Sequence, residues 1–318
     1  MRRIGFVVFE GFQSMSFAAL SVFECANIMR GEAVYEIDFI SEKGGLVRSS
    51  TGMVVDSRPF DGTTYDTVMV SGGPTILETA PPPLLAFLRQ ASTRSRRIAS
   101  ICTGAFVLAE AGLLDGKRVT SHWLHARELQ ARYPKLKMEE DRIFIIDGNV
   151  WTSAGMTAGI DLALAMAEED LGADVARAIA QQLVVYHRRA GGQSQHSALL
   201  ELAPKSDRIQ TALAYAKTNL HTVLSVEELA EAAHLSPRQF SRAFRAETGQ
   251  SPAKAVENLR LEAARQMMEQ TRHSIDEVAQ QTGFADRRRM RQAFLRAFGQ
   301  PPQTIRRNAR SATLALAS

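Results

Sequence analysis

The sequence predicts an α/β domain, built as a doubly wound, mostly parallel, flavodoxin-like sheet, followed by an all-α domain of two helix-turn-helix units. Strand and helix signals alternate over about the first 190 of the 318 residues, a polar stretch without periodicity follows, and the remainder is helical and internally repeated. A chain of this length is expected to hold about two domains, because a domain typically has ~100–200 residues.

The α/β prediction depends on four short apolar runs that are rich in β-branched residues, as buried parallel strands are. These runs lie at 3–9, 34–40, 65–73 and 96–102. Helical patterns alternate with them, at 17–30, 82–94, after Cys102 and at 159–172.

The domain boundary is expected at the polar stretch 187–197, "HRRAGGQSQHS", because paired glycines without periodicity indicate a loop. We therefore predict an α/β domain over 1–190, a linker over 191–206 and a helical domain over 207–308. The last residues, 309–318, are predicted to be a frayed tail.

Positive charge is concentrated in the helical part. Residues 207–318 contain 17 Lys and Arg against 11 Asp and Glu, whereas residues 1–206 contain 21 against 23. Fifteen of the 17 cations are Arg, whose planar fork suits phosphate and guanine edges. The excess of positive charge indicates that this region binds a polyanion, although a solvated basic surface would have the same excess of Lys and Arg.

Secretion and membrane insertion are not expected. The N-terminal apolar run stops at Glu10, too early for a signal-peptide core, and no stretch approaches the ~18 apolar residues that cross a bilayer. Two cysteines, Cys25 and Cys102, give no disulfide framework, so a reducing cytoplasm is expected. Cys25, in an amphipathic helical pattern, is interpreted as a small buried apolar residue.

An internal repeat organises the helical part. One unit begins at Ser225 and the other at Ser274, and each opens with Ser-x-x-Glu, the capping box that satisfies backbone donors at a helix start. A tight turn and a basic amphipathic helix follow in each unit, which is typical of a helix-turn-helix. Three further pairs recur at an offset of 50: Phe244 and Phe294, Gly249 and Gly299, Pro252 and Pro302.

The second helix of each unit, at 237–247 and 286–298, is the one that would enter a DNA major groove. Apolar residues four apart, Phe240 with Phe244 and Met290 with Phe294, should face the core. The side chains then expected to face DNA are Arg238, Ser241 and Arg242 in the first unit and Arg287, Arg288, Arg291 and Gln292 in the second. A phosphate contact or a solvated helix face remains the alternative for each of them.

Residues 207–308 resemble the AraC/XylS-type DNA-binding domain, in which a long helix, here 253–270, joins two helix-turn-helix units. The signature of the second unit is present as Gly283, Phe284, Phe294, Phe298, Gly299, Pro301, Pro302 and Arg306. The resemblance implies double-stranded DNA as a partner, with recognition helices about one helical turn (~34 Å) apart. One departure is His234, which stands where the second unit has Gly283; His tolerates a left-handed turn better than most residues.

Cys102 follows an apolar strand pattern and precedes a helical one, in "IASICTGAFVLAEAG". A helix N-terminus should stabilise the thiolate, and His122, 20 residues later, is a base that could take the thiol proton. A hydrogen-bonded core histidine beside Trp123 is the alternative for His122.

Residues 101–123 and 152–168 resemble the ThiJ/PfpI group of the class I glutamine-amidotransferase-like superfamily, whose nucleophilic cysteine sits on a strained elbow. Active members of that group add a carboxylate from the loop after the first strand. In this chain the position falls on Ser16, and the nearest carboxylates are Glu10 and Glu24. We therefore expect a non-catalytic domain in which Cys102 and His122 are vestigial, and we expect no cofactor or metal.

Together the two halves are similar to the GlxA-type transcriptional regulators. That resemblance implies a sequence-specific DNA-binding regulator, an activator in several relatives, that dimerises through the α/β domain and senses a small nitrogenous metabolite; RNA polymerase is a further candidate partner. The predicted ligand-binding residues are Ser16, Gly72, Gly73, Cys102, Thr103, His122 and Met156. Two alternatives remain open: a cysteine-dependent hydrolase, hydratase or glyoxalase-like enzyme, and an oxidation sensor acting through Cys102.

Overall fold

The computed structural model describes residues 1–74, 79–185, 191, 195, 202, 204 and 206–307. The chain forms two compact units, of which the first ends at Gln195 and the second comprises the residues that follow. The predicted tail at 309–318 and most of the predicted linker at 191–206 lie outside the described residues. No described helix is both long and apolar enough to span a bilayer.

The first unit is built on an eight-stranded sheet of order β3-β4-β2-β1-β5-β6-β10-β9. The strands are β1 Arg2–Val7, β2 Tyr35–Ser41, β3 Lys43–Arg48, β4 Val54–Pro59, β5 Thr67–Val70, β6 Arg97–Ile101, β9 Phe144–Asp147 and β10 Val150–Ser153; β7 Arg118–Val119 and β8 Lys137–Met138 form a separate pair. Among the strand pairs of the described residues, β3–β4 and β9–β10 are antiparallel and the others are parallel. The predicted doubly wound, mostly parallel fold is therefore confirmed.

Six helices accompany this sheet in the described residues: α1 Leu20–Arg30, α2 Pro82–Ser92, α3 Gly104–Glu110, α4 Trp123–Arg132, α5 Met156–Leu171 and α6 Ala173–Gln182. A 3-10 turn at Ser14–Ala19 precedes α1. At the amino ends of the strands, the buried Arg97 pairs with Glu169 and Asp170 at the end of α5 and lies 4.9 Å from the Trp151 ring. This cluster joins α5 to the amino-terminal ends of the strands, whereas Cys102 lies at their carboxyl-terminal ends.

The second unit consists of α7 Asp207–Thr218, α8 Val226–Ala232, α9 Pro237–Thr248, α10 Pro252–Gln270, α11 Ile275–Gln281 and α12 Arg287–Phe298. Two separate hydrophobic cores lie along α10. Val256 and Leu259 belong to the first core, and Leu261 and Met268 belong to the second. Each helix-turn-helix therefore has its own core, as the predicted all-α domain of two units requires.

Several elements of the first unit had no prediction from sequence. The β3–β4 hairpin is mostly exposed and its first strand carries two adjacent glycines, so it lacks the apolar run of a buried strand. Strands β7 and β8 have two residues each, too few for any periodicity. Of the predicted linker, Gly191 and Gln195 belong to the first unit, and Leu202 lies in the first core of the second unit.

Candidate functional site

Cys102 forms the elbow between β6 and α3. Its φ is +55°, in the left-handed region that a non-glycine residue occupies only under constraint. Its N–H donates to Ser153 O at 3.1 Å. A Cβ on Gly104 would lie 2.5 Å from Val70 O, so only glycine allows α3 to start this close to β5. The surrounding strands thus hold the elbow in its strained conformation.

The Cys102 thiol is buried, and burial raises its pKa above the ordinary value because the interior disfavours the thiolate. Hydrogen bonds from the backbone and side chain of Thr103 act in the opposite direction and are outweighed. The stabilisation of the thiolate expected at the start of α3 is present through the Thr103 backbone, but desolvation is the larger effect. A raised pKa disfavours the thiolate, which is the form that attacks electrophiles and is oxidised.

Ser16 lies against the loop that follows β5. Its hydroxyl accepts from Gly72 N–H at 3.2 Å and donates to the Met156 sulfur at 3.9 Å. A Cβ built on Gly72 would lie 3.2 Å from Thr103 Oγ1 and 3.3 Å from Cys102 Cβ. The structure thus places Ser16, Gly72, Met156, Thr103 and Cys102 in one continuous cluster.

Thr103 and Gly73 are joined in both directions. Gly73 N–H donates to Thr103 Oγ1, and the same hydroxyl donates back to Gly73 O, each at 2.9 Å. A Cβ on Gly73 would lie 2.6 Å from the Phe9 ring, so the ring covers this loop closely. The Thr103 hydroxyl therefore fixes the loop after β5 to the elbow.

His122 caps the N-terminus of α4, where its Nδ1 accepts from Leu124 N–H at 3.3 Å. The ring is half-buried and stacks on Trp123, with centroids 5.7 Å apart. The preceding residue, Ser121, donates its hydroxyl to Cys102 O at 2.9 Å. His122 is therefore held beside the elbow, and it also has the neighbour and the hydrogen bond expected of a structural histidine.

The two carboxylates nearest in sequence to the family's acidic position do not join this cluster. Glu24 is exposed on α1. Glu10 accepts from Arg48 N–H at 3.4 Å and lines a cavity whose walls do not include Cys102. The residues of that loop with described contacts to the cluster are Ser16 and Gln13, whose backbone N–H donates to Gly72 O at 2.8 Å.

This cavity, of about 240 Å³, opens beside the cluster. Phe9 and Glu10 after β1, Gly73 after β5, and Thr103 and Tyr133 are among its lining residues. Strand β1 has β2 on one side and β5 on the other, and the chain continues from β5 to β6 in the opposite direction. The cavity therefore lies at the carboxyl end of the sheet, at the point where strand order reverses, which is where open α/β sheets bind ligands.

The sequence does not indicate a role for Gln195, although this residue lies in the polar stretch 187–197 at which the domain boundary is expected. Its side-chain oxygen accepts from Trp123 N–H at 2.9 Å, so it contacts the loop that carries His122. A polar residue beyond the last periodic helix has no pattern that would assign it a partner 72 residues away.

In the second unit the recognition helices present arginine faces opposite buried apolar pairs. On α9, Phe240 and Phe244 are buried, Arg238 and Arg242 are exposed and Ser241 is half-buried. On α12, Met290, Ala293 and Phe294 are buried. The exposed side chains of α12 include the four predicted DNA contacts, Arg287, Arg288, Arg291 and Gln292. Their contacts with DNA stay predictions.

The turns between the paired helices have the same conformation in both repeats. His234 has a φ of +53° and Gly283 a φ of +75°. Both predicted capping boxes form, Ser225 with Glu228 and Ser274 with Glu277. A third, at Ser236 with Gln239, starts α9 and was not predicted.

A doubly wound α/β unit with a cysteine elbow, followed by a tandem helix-turn-helix, defines the class of two-domain transcriptional regulators. Residues 2–169 match the DJ-1/PfpI family and residues 229–308 match a helix-turn-helix domain of the AraC type. The chain belongs to the DJ-1/PfpI family, within its GlxA-type transcriptional regulators, as the sequence predicted.

Comparison with individual proteins agrees. The chain is 33% identical over 316 residues to the HTH-type transcriptional regulator GlxA of Rhizobium meliloti, covering 98% of this chain and 97% of the relative. It is 37% identical over 140 residues to the isonitrile hydratase of Pseudomonas putida, covering 43% of this chain and 60% of the enzyme. The crystal structure of an AraC family transcriptional regulator from Pseudomonas putida, 22% identical, matches 57% of this chain and 100% of its own with a TM-score of 0.51, which supports the fold.

Proposed function

We propose that this protein regulates transcription by binding a specific double-stranded DNA sequence through Arg238, Ser241 and Arg242 of α9 and through Arg287, Arg288, Arg291 and Gln292 of α12. The observation that carries the proposal is the pair of exposed arginine faces, each fixed by a buried apolar pair on the same helix. A rigid helix with outward Arg side chains is the geometry that reads guanine in a major groove.

The test compares DNA from upstream of the protein's own gene with a scrambled duplex at physiological salt. Wild type should prefer the upstream DNA. Arg287→Ala and Arg242→Ala should each reduce that preference by about 5- to 150-fold, since a good bidentate base contact contributes ~1–3 kcal/mol.

Arg177→Ala is the charge-matched control, because Arg177 is exposed on α6 in the first unit. It should leave the preference for upstream DNA unchanged. Equal losses on upstream and scrambled DNA for Arg287→Ala and Arg242→Ala would show that these residues contact phosphate only. No preference in wild type would refute the proposal itself.

The first unit is proposed to bind the small-molecule effector in the cluster of Ser16, Gly72, Gly73, Cys102, Thr103, His122 and Met156 and in the adjoining cavity. The position of the cavity at the reversal of strand order supports a ligand there. Family resemblance suggests a small nitrogenous metabolite. Effector and DNA would then change each other's affinity by the same factor.

A thermal-shift screen of amino acids and quaternary amines tests the effector site, because a ligand of the native state raises the melting temperature. Gly72→Ala should weaken the binding of any hit, since the new methyl group would approach Thr103 Oγ1 and Cys102 Cβ to within 3.3 Å. An unchanged response in Gly72→Ala would place the ligand elsewhere.

Dimerisation, RNA polymerase contact and a cytoplasmic location complete the proposal. The α/β unit carries exposed apolar side chains, Ile28 on α1 and Leu46 on the edge strand β3, that a second copy could cover. Sedimentation equilibrium at micromolar concentration distinguishes monomer from dimer. A monomer would remove dimerisation from the proposal and leave DNA recognition intact.

Enzymatic activity is the second candidate, favoured by the strained elbow at Cys102 and by the likeness to a hydratase over part of the chain. Ser16 in place of the family's acidic residue argues against it, and the raised pKa of the Cys102 thiol acts in the same direction, so we propose a non-catalytic domain. Turnover of a small isonitrile, amide or aldehyde that disappears in Cys102→Ala would reverse this assignment.

A further inference from the structure

Gln195, the last residue of the first unit, inserts its side chain between two loops of that unit. Its Nε2 lies within hydrogen-bonding distance of four oxygens: Thr120 Oγ1 (3.2 Å), Ser121 O (2.8 Å), Glu140 O (2.7 Å) and Arg142 O (3.0 Å). The side-chain Oε1 of Gln195 accepts from Trp123 N–H, and the backbone N–H of Gln195 donates to Asp141 Oδ1, both at 2.9 Å. One side chain therefore joins the segments 120–123 and 140–142.

The contact with Trp123 serves the start of α4. Trp123 is the first residue of that helix, so its N–H has no acceptor within the helix. His122 accepts from the next donor, Leu124 N–H, and Gln195 accepts from Trp123 N–H. Helix α4, whose N-cap is His122, is thus capped partly by a residue from the far end of the unit.

A short path of hydrogen bonds connects this amide to the elbow. Gln195 contacts Ser121 O, and the Ser121 hydroxyl donates to Cys102 O at 2.9 Å. A second anchor precedes it in the chain, because a Cβ on Gly191 would lie 2.6 Å from Phe144 O. The chain is therefore fixed at two points just before it continues into the second unit.

We propose that Gln195 is a positioning residue that couples the state of the Cys102–His122 site to DNA binding. The inference rests on the proposed function and adds the route by which the site acts. A change that displaces His122 must move Ser121 or Trp123, and Gln195 holds both. With the amide removed, site and DNA-binding unit each keep their own structure, and the coupling between them is lost.

A mutation inside the site can act as the probe, so the effector need not be known. A Cβ on Gly155 would lie 3.3 Å from His122 Cδ2, and the φ of Gly155 is −64°, which any residue adopts. Gly155→Ala therefore pushes on the imidazole without straining its own backbone. The full-length protein is compared as wild type, Gly155→Ala, Gln195→Leu and the double variant.

Gln130→Leu supplies the matched control. Gln130, on α4, also holds a separate segment through its amide, donating to Leu136 O at 3.2 Å and accepting from Met138 N–H at 3.0 Å, and its described hydrogen bonds involve neither Ser121 nor Trp123. Gln195→Glu is the second variant should the leucine variant fold poorly. It keeps the size and the acceptor for Trp123, and it replaces the donors with a carboxylate facing carbonyl oxygens.

The first measurement is affinity for the upstream DNA. Gly155→Ala should change it about fivefold or more in wild type and in Gln130→Leu, a change typical of allosteric coupling. In Gln195→Leu and Gln195→Glu the same mutation should have less than about a twofold effect. The proposal is overturned if Gly155→Ala leaves the DNA affinity of the wild-type protein unchanged. It is also overturned if Gly155→Ala changes the DNA affinity of both Gln195 variants as much as that of wild type.

The second measurement does not depend on DNA. The backbone N–H of Gln195 donates to Asp141, and the displacement caused by Gly155→Ala should weaken this hydrogen bond. Hydrogen exchange in the peptide that contains this N–H should therefore speed up about tenfold in Gly155→Ala. Unchanged exchange refutes the coupling even where DNA recognition holds. Faster exchange in a protein that shows no DNA preference would refute the proposed function and leave the mechanical link intact.

Discussion

The two helix-turn-helix repeats share one turn conformation but differ in the space around it. In the first repeat His234 adopts a φ of +53° with an exposed side chain. In the second, a Cβ on Gly283 would lie 1.8 Å from Leu220 O and 2.7 Å from Arg260 Nε. The second turn packs against the loop that precedes the first repeat, whereas the first turn faces solvent. Equal backbone geometry therefore does not imply equal tolerance of side chains.

The same contact shows how the repeats are joined. Arg260 of α10 donates to Leu220 O at 3.1 Å and to Thr222 O at 2.6 Å, so it ties the long helix to that loop. Burial lowers the pKa of the Arg260 guanidinium, and the Leu220 and Thr222 carbonyl oxygens accept from two of its nitrogen atoms. The repeats have separate cores and meet at a polar junction made of Arg260, the Leu220 carbonyl and the Gly283 turn.

The largest expected effect tests whether the cores are separate. Phe240 and Phe294 are each fully buried in their own core, so Phe240→Ala and Phe294→Ala should each cost about 3–5 kcal/mol. Hydrogen exchange should show loss of protection confined to the mutated repeat. Equal loss in both repeats after either mutation would mean that they unfold as one core.

A smaller effect is expected at the turns. Gly283→Ala should destabilise the second repeat by about 3 kcal/mol, because it combines left-handed strain with a clash against a backbone carbonyl. His234→Gly is the matched change in the first repeat and should alter stability by no more than about 1 kcal/mol. Exchange of the α11 and α8 amides measures both. A loss of stability well below this value in Gly283→Ala would mean that the two repeats are not held together at Leu220.

The smallest expected effects are at the caps. Ser225→Ala and Ser274→Ala remove equivalent capping boxes and should each cost about 1 kcal/mol. Unfolding titrations of the two variants should therefore agree within error. A clear inequality would show that one helix start has a second partner.

The capping box of Ser274 and Glu277 in the second repeat should also make stability depend on pH. Hydrogen bonds from the backbone and side chain of Ser274 lower the pKa of Glu277, so the charged carboxylate is the form that the folded state favours. Its contribution is present above the ordinary pKa of glutamate and is lost as pH falls through the lower folded value. Ser274→Ala removes only the side-chain hydrogen bond and keeps the Ser274 backbone N–H that donates to Glu277, so it should reduce this acid-dependent part without abolishing it, which the pH dependence of α11 exchange would reveal.

The sequence predicted the features that have a period or a fixed spacing. Alternating apolar runs indicated the central strands, the Ser-x-x-Glu spacing indicated both capping boxes, and the offset repeat indicated the tandem units. Exposed and very short strands escaped prediction because they bury too little apolar surface to leave a pattern. The β3–β4 hairpin is the main example.

The sequence could not establish the balance of opposing effects at the candidate site. A helix N-terminus and a histidine 20 residues later were both expected to favour a thiolate at Cys102, but the opposing cost of burial depends on neighbours from other elements, such as Ser153 of β10 and Gly72 after β5. Gln195 was missed for a related reason. Its partners at 120–123 and 140–142 become neighbours only when the fold is complete.

Gln195 also limits how such proteins can be recombined. A chimera joined before Gln195 would lose that residue's hydrogen bonds to Trp123 and Glu140, so the α/β half would still fold but its site would no longer be linked to the DNA-binding unit. A junction placed after this glutamine preserves those bonds. Exchange of DNA-reading modules between relatives is therefore expected to succeed only when the donor of the α/β half also supplies the residue at 195.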